Sequence, residues 1–180
     1  IKPRENHKVL EMAKRAESIG AMAVGTDVDG AGLVTMALMG QPVGPKTCEE
    51  LKQIISVSNI PFIIKGIMTP DEAEMACEVG ADAIVVSNHG GRILDGTPGV
   101  AQVLPSIAQR VKGKITILAD GGVRSGTDVL KYLALGADAV LVGRPIIVGA
   151  FGSGREGVKL VLETIANQLK QAMILTGCKN

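Results

Sequence analysis

Five short apolar runs punctuate the chain, at residues 21–24, 61–64, 83–86, 115–119 and 139–142. None alternates with polar residues, so none reads as a strand with one wet face. Continuous runs of this length predict parallel strands covered on both sides. Between them the apolar positions fall at helical spacing. Val9, Met12, Ala13 and Ala16 share one face of a first helix, and Leu51, Ile54 and Ile55 one face of a second. Val158, Val161, Leu162, Ile165, Leu169 and Met173 form the stripe of a last helix.

The boundaries are well marked. Thr69-Pro70-Asp71-Glu72 combines a capping box with Pro at the first helical position. Thr47-Cys48-Glu49-Glu50 carries the same box, and Ser125-Gly126-Thr127-Asp128 a weaker one. Gly20, Gly80 and Gly136 each close a helix just before a strand. Gly80-Ala81-Asp82-Ala83 recurs almost unchanged as Gly136-Ala137-Asp138-Ala139, which marks an internal strand–helix repeat. About five such units predict an α/β protein of the (β/α)8 TIM-barrel type, or a doubly wound open sheet. No GxGxxG follows the first run, which counts against the open sheet. A full barrel needs on the order of 250 residues. The 180 residues therefore read as a single domain, a partial barrel lacking roughly its first two to three strands. Open strand edges then call for a homo-oligomer or for complementation by a missing N-terminal half.

Composition narrows the function. The net charge is +1, with two Phe, one Tyr and no Trp, so neither charge nor base-stacking residues point to nucleic acid. The most apolar stretch, residues 137–151, is broken by Arg144 and Pro145 and is not a membrane span. Cys48, Cys77 and Cys178 show no CxxC spacing, which argues against zinc or a disulfide framework and fits a cytoplasmic protein. Cys48 and Cys77 read as packing residues in helices.

Chemistry-bearing residues follow the apolar runs: Asp27, Lys65, Ser87 to Arg92, Asp120 to Arg124, and Gly143-Arg144. In a parallel barrel the C-terminal strand ends build one shared site. Ser87-Asn88-His89-Gly90-Gly91-Arg92 places an imidazole and a guanidinium at such an end, with glycines that permit a sharp turn and a close ligand. Asp120-Gly121-Gly122-Val123-Arg124 precedes a helix, where glycine N–H groups, the helix N-terminus and Arg124 suit an anion. Gly143-Arg144 supplies a second anchor, and the last two strands are the usual phosphate site of this barrel.

Ile64-Lys65-Gly66, Val86 to Arg92, Asp120 to Arg124 and Val142-Gly143-Arg144-Pro145 resemble, in the same order, the FMN-dependent α-hydroxy acid oxidases and dehydrogenases, such as lactate and glycolate oxidases. The resemblance covers roughly residue 61 to the end. It implies a barrel with FMN at its mouth and oxidation of a small L-2-hydroxy acid to the 2-oxo acid. His89 then looks like the proton-abstracting base and Arg92 like the clamp on the substrate carboxylate. Lys65 looks like the cation beside the flavin N1 and O2, and Ser87 like a contact to the flavin ring. Asp120, Gly121, Gly122, Arg124, Gly143 and Arg144 would hold the phosphate side chain, and Asp27 would orient His89. The chain departs from the family at Gly25, where better known members carry Thr, and along Val28-Asp29-Gly30-Ala31-Gly32. Type 2 isopentenyl diphosphate isomerases and IMP dehydrogenases share the late phosphate loops, but neither needs a His and Arg pair for a carboxylate. A non-catalytic barrel fragment is the remaining alternative.

Overall fold

The computed structural model describes residues 1–178. Helix α1 (Asn6–Ser18) leads to β1 (Val24–Asp27), a 3-10 turn (Val28–Gly32), α2 (Val34–Leu38) and α3 (Cys48–Ser56). Then come β2 (Phe62–Ile67), α4 (Pro70–Glu78), β3 (Ala83–Val86), a second 3-10 turn (His89–Gly91) and α5 (Val100–Val111). The chain ends with β4 (Thr116–Ala119), α6 (Gly126–Ala134), β5 (Ala139–Val140) and α7 (Arg144–Thr176). All strand pairs are parallel, and the order in space is β1-β2-β3-β4-β5. A doubly wound sheet reverses its order at a switch point. Winding in one direction throughout is the barrel arrangement, so the expected five-unit TIM-barrel architecture is borne out.

Register assigns the two faces. Ile64, Ile84 and Ile117 are neighbours across β2, β3 and β4 and point into the helical layer, where Val9, Ile54, Leu104, Ile107 and Val111 cover them. Each fully buried side chain of this size stabilises the fold by about 1.5–3 kcal/mol. The opposite face carries Asp27, Lys65, Val85 and Leu118 in register; of these only Val85 is buried. Polar side chains therefore have room on the concave side, and that is where the chemistry collects.

The three expected capping boxes form, at Thr47/Glu50, Thr69/Glu72 and Ser125/Asp128. The repeated Gly-Ala-Asp-Ala has a structural meaning. Asp82 accepts the N–H of Phe62, and Asp138 accepts the N–H of Ile117, each at 2.8 Å. In both copies the aspartate takes an N–H near the start of the preceding strand.

Several expectations need correction. The first strand lies at Val24–Asp27, not at residues 21–24. Ala21 is still closing α1 through its N–H to Ala16 O, Met22 is exposed, and pairing with β2 starts only at Val24. Asp27 and Lys65 pair with each other as residues of β1 and β2. Cys48 is exposed at the start of α3 and is not a packing residue. In α7, Ile165 is buried while Leu162 is exposed. Helix α7 also breaks at Ser153 and Gly154, and its two arms meet at Gly149 and Gly157. A Cβ on Gly149 would stand 2.6 Å from Gly157 O, so glycine is what allows this contact. No helix among the described residues is long and apolar enough to cross a membrane.

Candidate active site

Four strand ends converge on the concave side. At β2, Lys65 Nζ donates to Ser87 Oγ at 2.5 Å and to Asp120 Oδ2 at 2.8 Å. Strands β2, β3 and β4 thus each contribute one member of a single polar cluster. Ser87 is buried, and its Oγ also accepts the N–H of His89 at 3.1 Å. Within this chain Ser87 ties Lys65 to the backbone of His89.

His89 has φ +54, a left-handed conformation that few non-glycine residues adopt. Asn88 stabilises it. Its side-chain oxygen accepts the N–H groups of Gly90 and Gly91, and its amide donates to Thr97 Oγ1 and Pro98 O. The His-Gly-Gly turn is thereby tied to the loop before α5. Only 12% of the His89 side chain is exposed.

Two carboxylates flank the imidazole. Asp29 Oδ2 lies 2.5 Å from Nδ1, whereas Asp27 Oδ2 lies 3.8 Å from Nε2. Asp27, expected to orient His89, lies within ion-pair distance of the ring but makes no hydrogen bond to it. Asp27 instead accepts a hydrogen bond from Lys2 Nζ at 2.6 Å. Burial pushes the Asp27 carboxyl upward, but the Lys2 hydrogen bond and the charges of Lys2, His89 and Lys65 outweigh it and hold it below the usual carboxylate range. The 3-10 turn Val28–Gly32 brings Asp29 over the end of β2, where Gly66 makes room for it. A Cβ on Gly66 would collide with the Asp29 carboxylate. Gly66 has φ +102 and interrupts the register between β2 and β3, so it is the extra residue of a bulge.

The anion-binding elements stand beside this group. Among the described residues no carboxylate pairs with Arg92, Arg124 or Arg144, and all three are exposed. Arg92 Nε donates to His89 O at 3.0 Å, which leaves its terminal nitrogens free. The Arg144 guanidinium reaches Gly90, 3.6 Å from where a Cβ would sit there. The loop after β4 differs in one respect from expectation. Asp128 already takes the N–H groups of Arg124 and Ser125, so the start of α6 is capped by its own chain. The N–H groups of Gly121, Gly122 and Val123 make no hydrogen bond among the described residues, nor do those of Gly143 and Arg144. Gly122 and Gly143 face open space, where a Cβ would meet nothing within 4 Å. Tyr132 Oη donates to Gly121 O at 2.7 Å and steadies this loop.

The candidate residues His89, Arg92, Lys65, Ser87, Asp120, Gly121, Gly122, Arg124, Gly143 and Arg144 thus all lie at the β2–β5 strand ends and the loops after them. Asp29, Asn88 and Tyr132 were not singled out from the sequence. For Asp29 the available signal was a second acid two residues after Asp27 in a Gly-rich turn. Asn88 and Tyr132 offered none, because their partners are backbone atoms brought in by the fold.

A family model described as FMN-dependent dehydrogenase matches residues 1–180. A 2-hydroxyacid oxidase of Dictyostelium discoideum is 50% identical over 134 residues, covering 74% of this chain and 34% of that protein. Human 2-hydroxyacid oxidase 1 is 45% identical over 153 residues, covering 84% and 41%. An L-lactate dehydrogenase of Pseudomonas paraeruginosa is 48% identical over 132 residues, covering 73% and 35%. A crystal structure of mandelate oxidase superposes with a TM-score of 0.88 at 36% identity, covering 98% of this chain and 58% of that one. The chain spans about a third to two-fifths of the curated relatives it matches.

Proposed function

The chain belongs to the family of FMN-dependent dehydrogenases, and from that premise we propose that the protein carrying it oxidises a small L-2-hydroxy acid to the 2-oxo acid with FMN. The observation that carries this reading is the juxtaposition of a carboxylate-bound imidazole, His89, with the free guanidinium of Arg92 at one strand end. The residues present fit the cofactor. The N–H groups of Gly121, Gly122 and Gly143 make no hydrogen bond among the described residues, and the same loops carry the exposed guanidinium groups of Arg124 and Arg144, which suits a phosphate. Lys65, held by Asp120 and Ser87, places a cation on the concave face beside them.

FMN, when bound, supplies the acceptor for the two electrons that leave the substrate. The remaining steps belong to the chain. Arg92 pairs with the substrate carboxylate, where a planar fork gives orientation as well as charge. His89 takes a substrate proton at Nε2, and the nearby Asp27 carboxylate favours the imidazolium that results. Lys65 keeps positive charge where the oxidation deposits negative charge. The half-exposed concave face, together with the 58% coverage of the mandelate oxidase chain, supports closure of the barrel by further strands of the same protein.

The test is titration of the full-length protein with FMN, followed by anaerobic addition of L-lactate, glycolate or mandelate. Saturable binding and bleaching of the flavin absorbance are expected, with His89→Gln binding FMN but failing to bleach. A flavin that no hydroxy acid reduces would overturn the reading.

A further inference from the structure

We propose that Asp29, rather than Asp27, is the positioning residue of His89, fixing the tautomer that leaves Nε2 free to take a proton. The contact at Nδ1 is 2.5 Å, between side chains only 12% and 13% exposed. An ionised carboxylate can only accept a hydrogen bond, so Nδ1 carries the ring proton and Nε2 presents its lone pair. Asp27 makes no hydrogen bond to the ring. Its closest approach to the ring is 3.8 Å, at the other nitrogen, and its Oδ2 is occupied by Lys2.

The Asp29 side chain has no other partner among the described residues. Among the described residues its only ion-pair contact is His89, and its second oxygen, Oδ1, is buried without a hydrogen bond. A buried carboxylate with one partner is costly unless that partner matters to the protein. Two local features exist to seat it. The 3-10 turn Val28–Gly32 brings Asp29 back over β2, and the Gly66 bulge removes the side chain that would otherwise fill its place. On the far side, the His89 N–H is held by Ser87 Oγ, so ring and backbone are anchored independently. The two carboxylates divide the labour: Asp29 sets the proton position before reaction, and Asp27 faces the nitrogen that becomes charged during it.

The catalytic consequence rests on the hydroxy acid reading, whereas the tautomer does not. The experiment is long-range 1H–15N correlation of the full-length FMN-bound protein labelled at histidine, with the His89 signals assigned by their disappearance in His89→Gln. A protonated Nδ1 with a low-field proton is expected. It should persist in Asp27→Asn and Asp27→Ala. In Asp29→Ala it should be lost, with protonation moving to Nε2. Should Asp29→Ala fail to retain flavin, the isosteric Asp29→Asn removes the charge, and the low-field proton should move upfield. With a hydroxy acid, Asp29→Ala should lose kcat by about 10²–10⁴-fold with KM nearly unchanged, the pattern of a misplaced tautomer. Loss of the Nδ1 proton in the Asp27 variants but not in the Asp29 variants would overturn the proposal. So would full kcat in Asp29→Ala. A wild-type protein that shows the Nδ1 proton but oxidises no hydroxy acid would sink the functional reading and leave the positioning role standing.

Discussion

Lys65 and Asp120, 55 residues apart in sequence, meet at 2.8 Å across three adjacent strands. Their side chains are about one-fifth exposed, so the pair is shielded from solvent without being sealed. The Ser87 hydroxyl shares the same ammonium and fixes its direction. A cation held in this way is available to a ligand on the concave face at little further ordering cost.

Removing one member should therefore hurt more than removing both. Lys65→Met should destabilise the protein by about 1–3 kcal/mol, because Asp120 is left half-buried without its counter-charge. Pairing it with Asp120→Asn should recover part of the loss. Urea denaturation of the single and double variants gives the coupling directly. An additive double variant would show that the pair is merely coincident.

Gly66 carries two burdens, a φ of +102 and the space for the Asp29 carboxylate. Gly66→Ala should cost about 1–3 kcal/mol and displace Asp29 from His89. Gly122→Ala shares only the first burden, since its Cβ would enter open space, and should cost less stability while weakening FMN binding. Thermal melts and flavin titration of the two variants separate these effects.

Acid should unfold the protein through a small set of aspartates. Burial opposes ionisation of Asp138, but the Ile117 N–H and Lys112 outweigh it and hold its carboxyl below the usual range. Asp128 is lowered chiefly by the Arg124 N–H, and Asp27 by Lys2 against its burial. A depressed folded value means stability that is present above the unfolded carboxylate value and lost as pH falls through the folded one. The melting temperature should therefore hold above about pH 4 and drop below it, with a shallower drop in Asp138→Ala. A melting temperature that rises on acidification would contradict these assignments.

Arg92→Lys should raise KM for the hydroxy acid by roughly 10–100-fold, because a point charge replaces a fork whose hydrogen bonds to a carboxylate are worth about 1.5–3 kcal/mol. FMN affinity should be unchanged, since Arg92 is assigned to the substrate carboxylate and not to the cofactor phosphate. Steady-state kinetics and a flavin titration check both halves.

Local signals were strong along much of the chain. Capping boxes, closing glycines and unbroken apolar runs marked helix and strand boundaries, because each depends on chemistry within a few residues. They failed at the first strand, where Ala21 looked like strand and belongs to the close of α1. Along α7 the stripe from Val158 to Met173 does lie in a helix, but Leu162 within it is exposed.

The sequence by itself determined the repeated strand–helix units and the residue types at the strand ends. These follow from periodicity and from backbone-local preferences, which need no knowledge of distant partners. Only the tertiary structure decided which groups meet. It put Asp29 on His89 across 60 residues, assigned Asp27 to Lys2, buried Ser87 under Lys65, and let Asp128 take the Arg124 and Ser125 N–H groups at the start of α6, leaving those of Gly121 and Gly122 without a partner among the described residues. A carboxylate two residues along a turn is the same letter in sequence. The turn's path and one missing Cβ, at Gly66, determine which of the two reaches the imidazole.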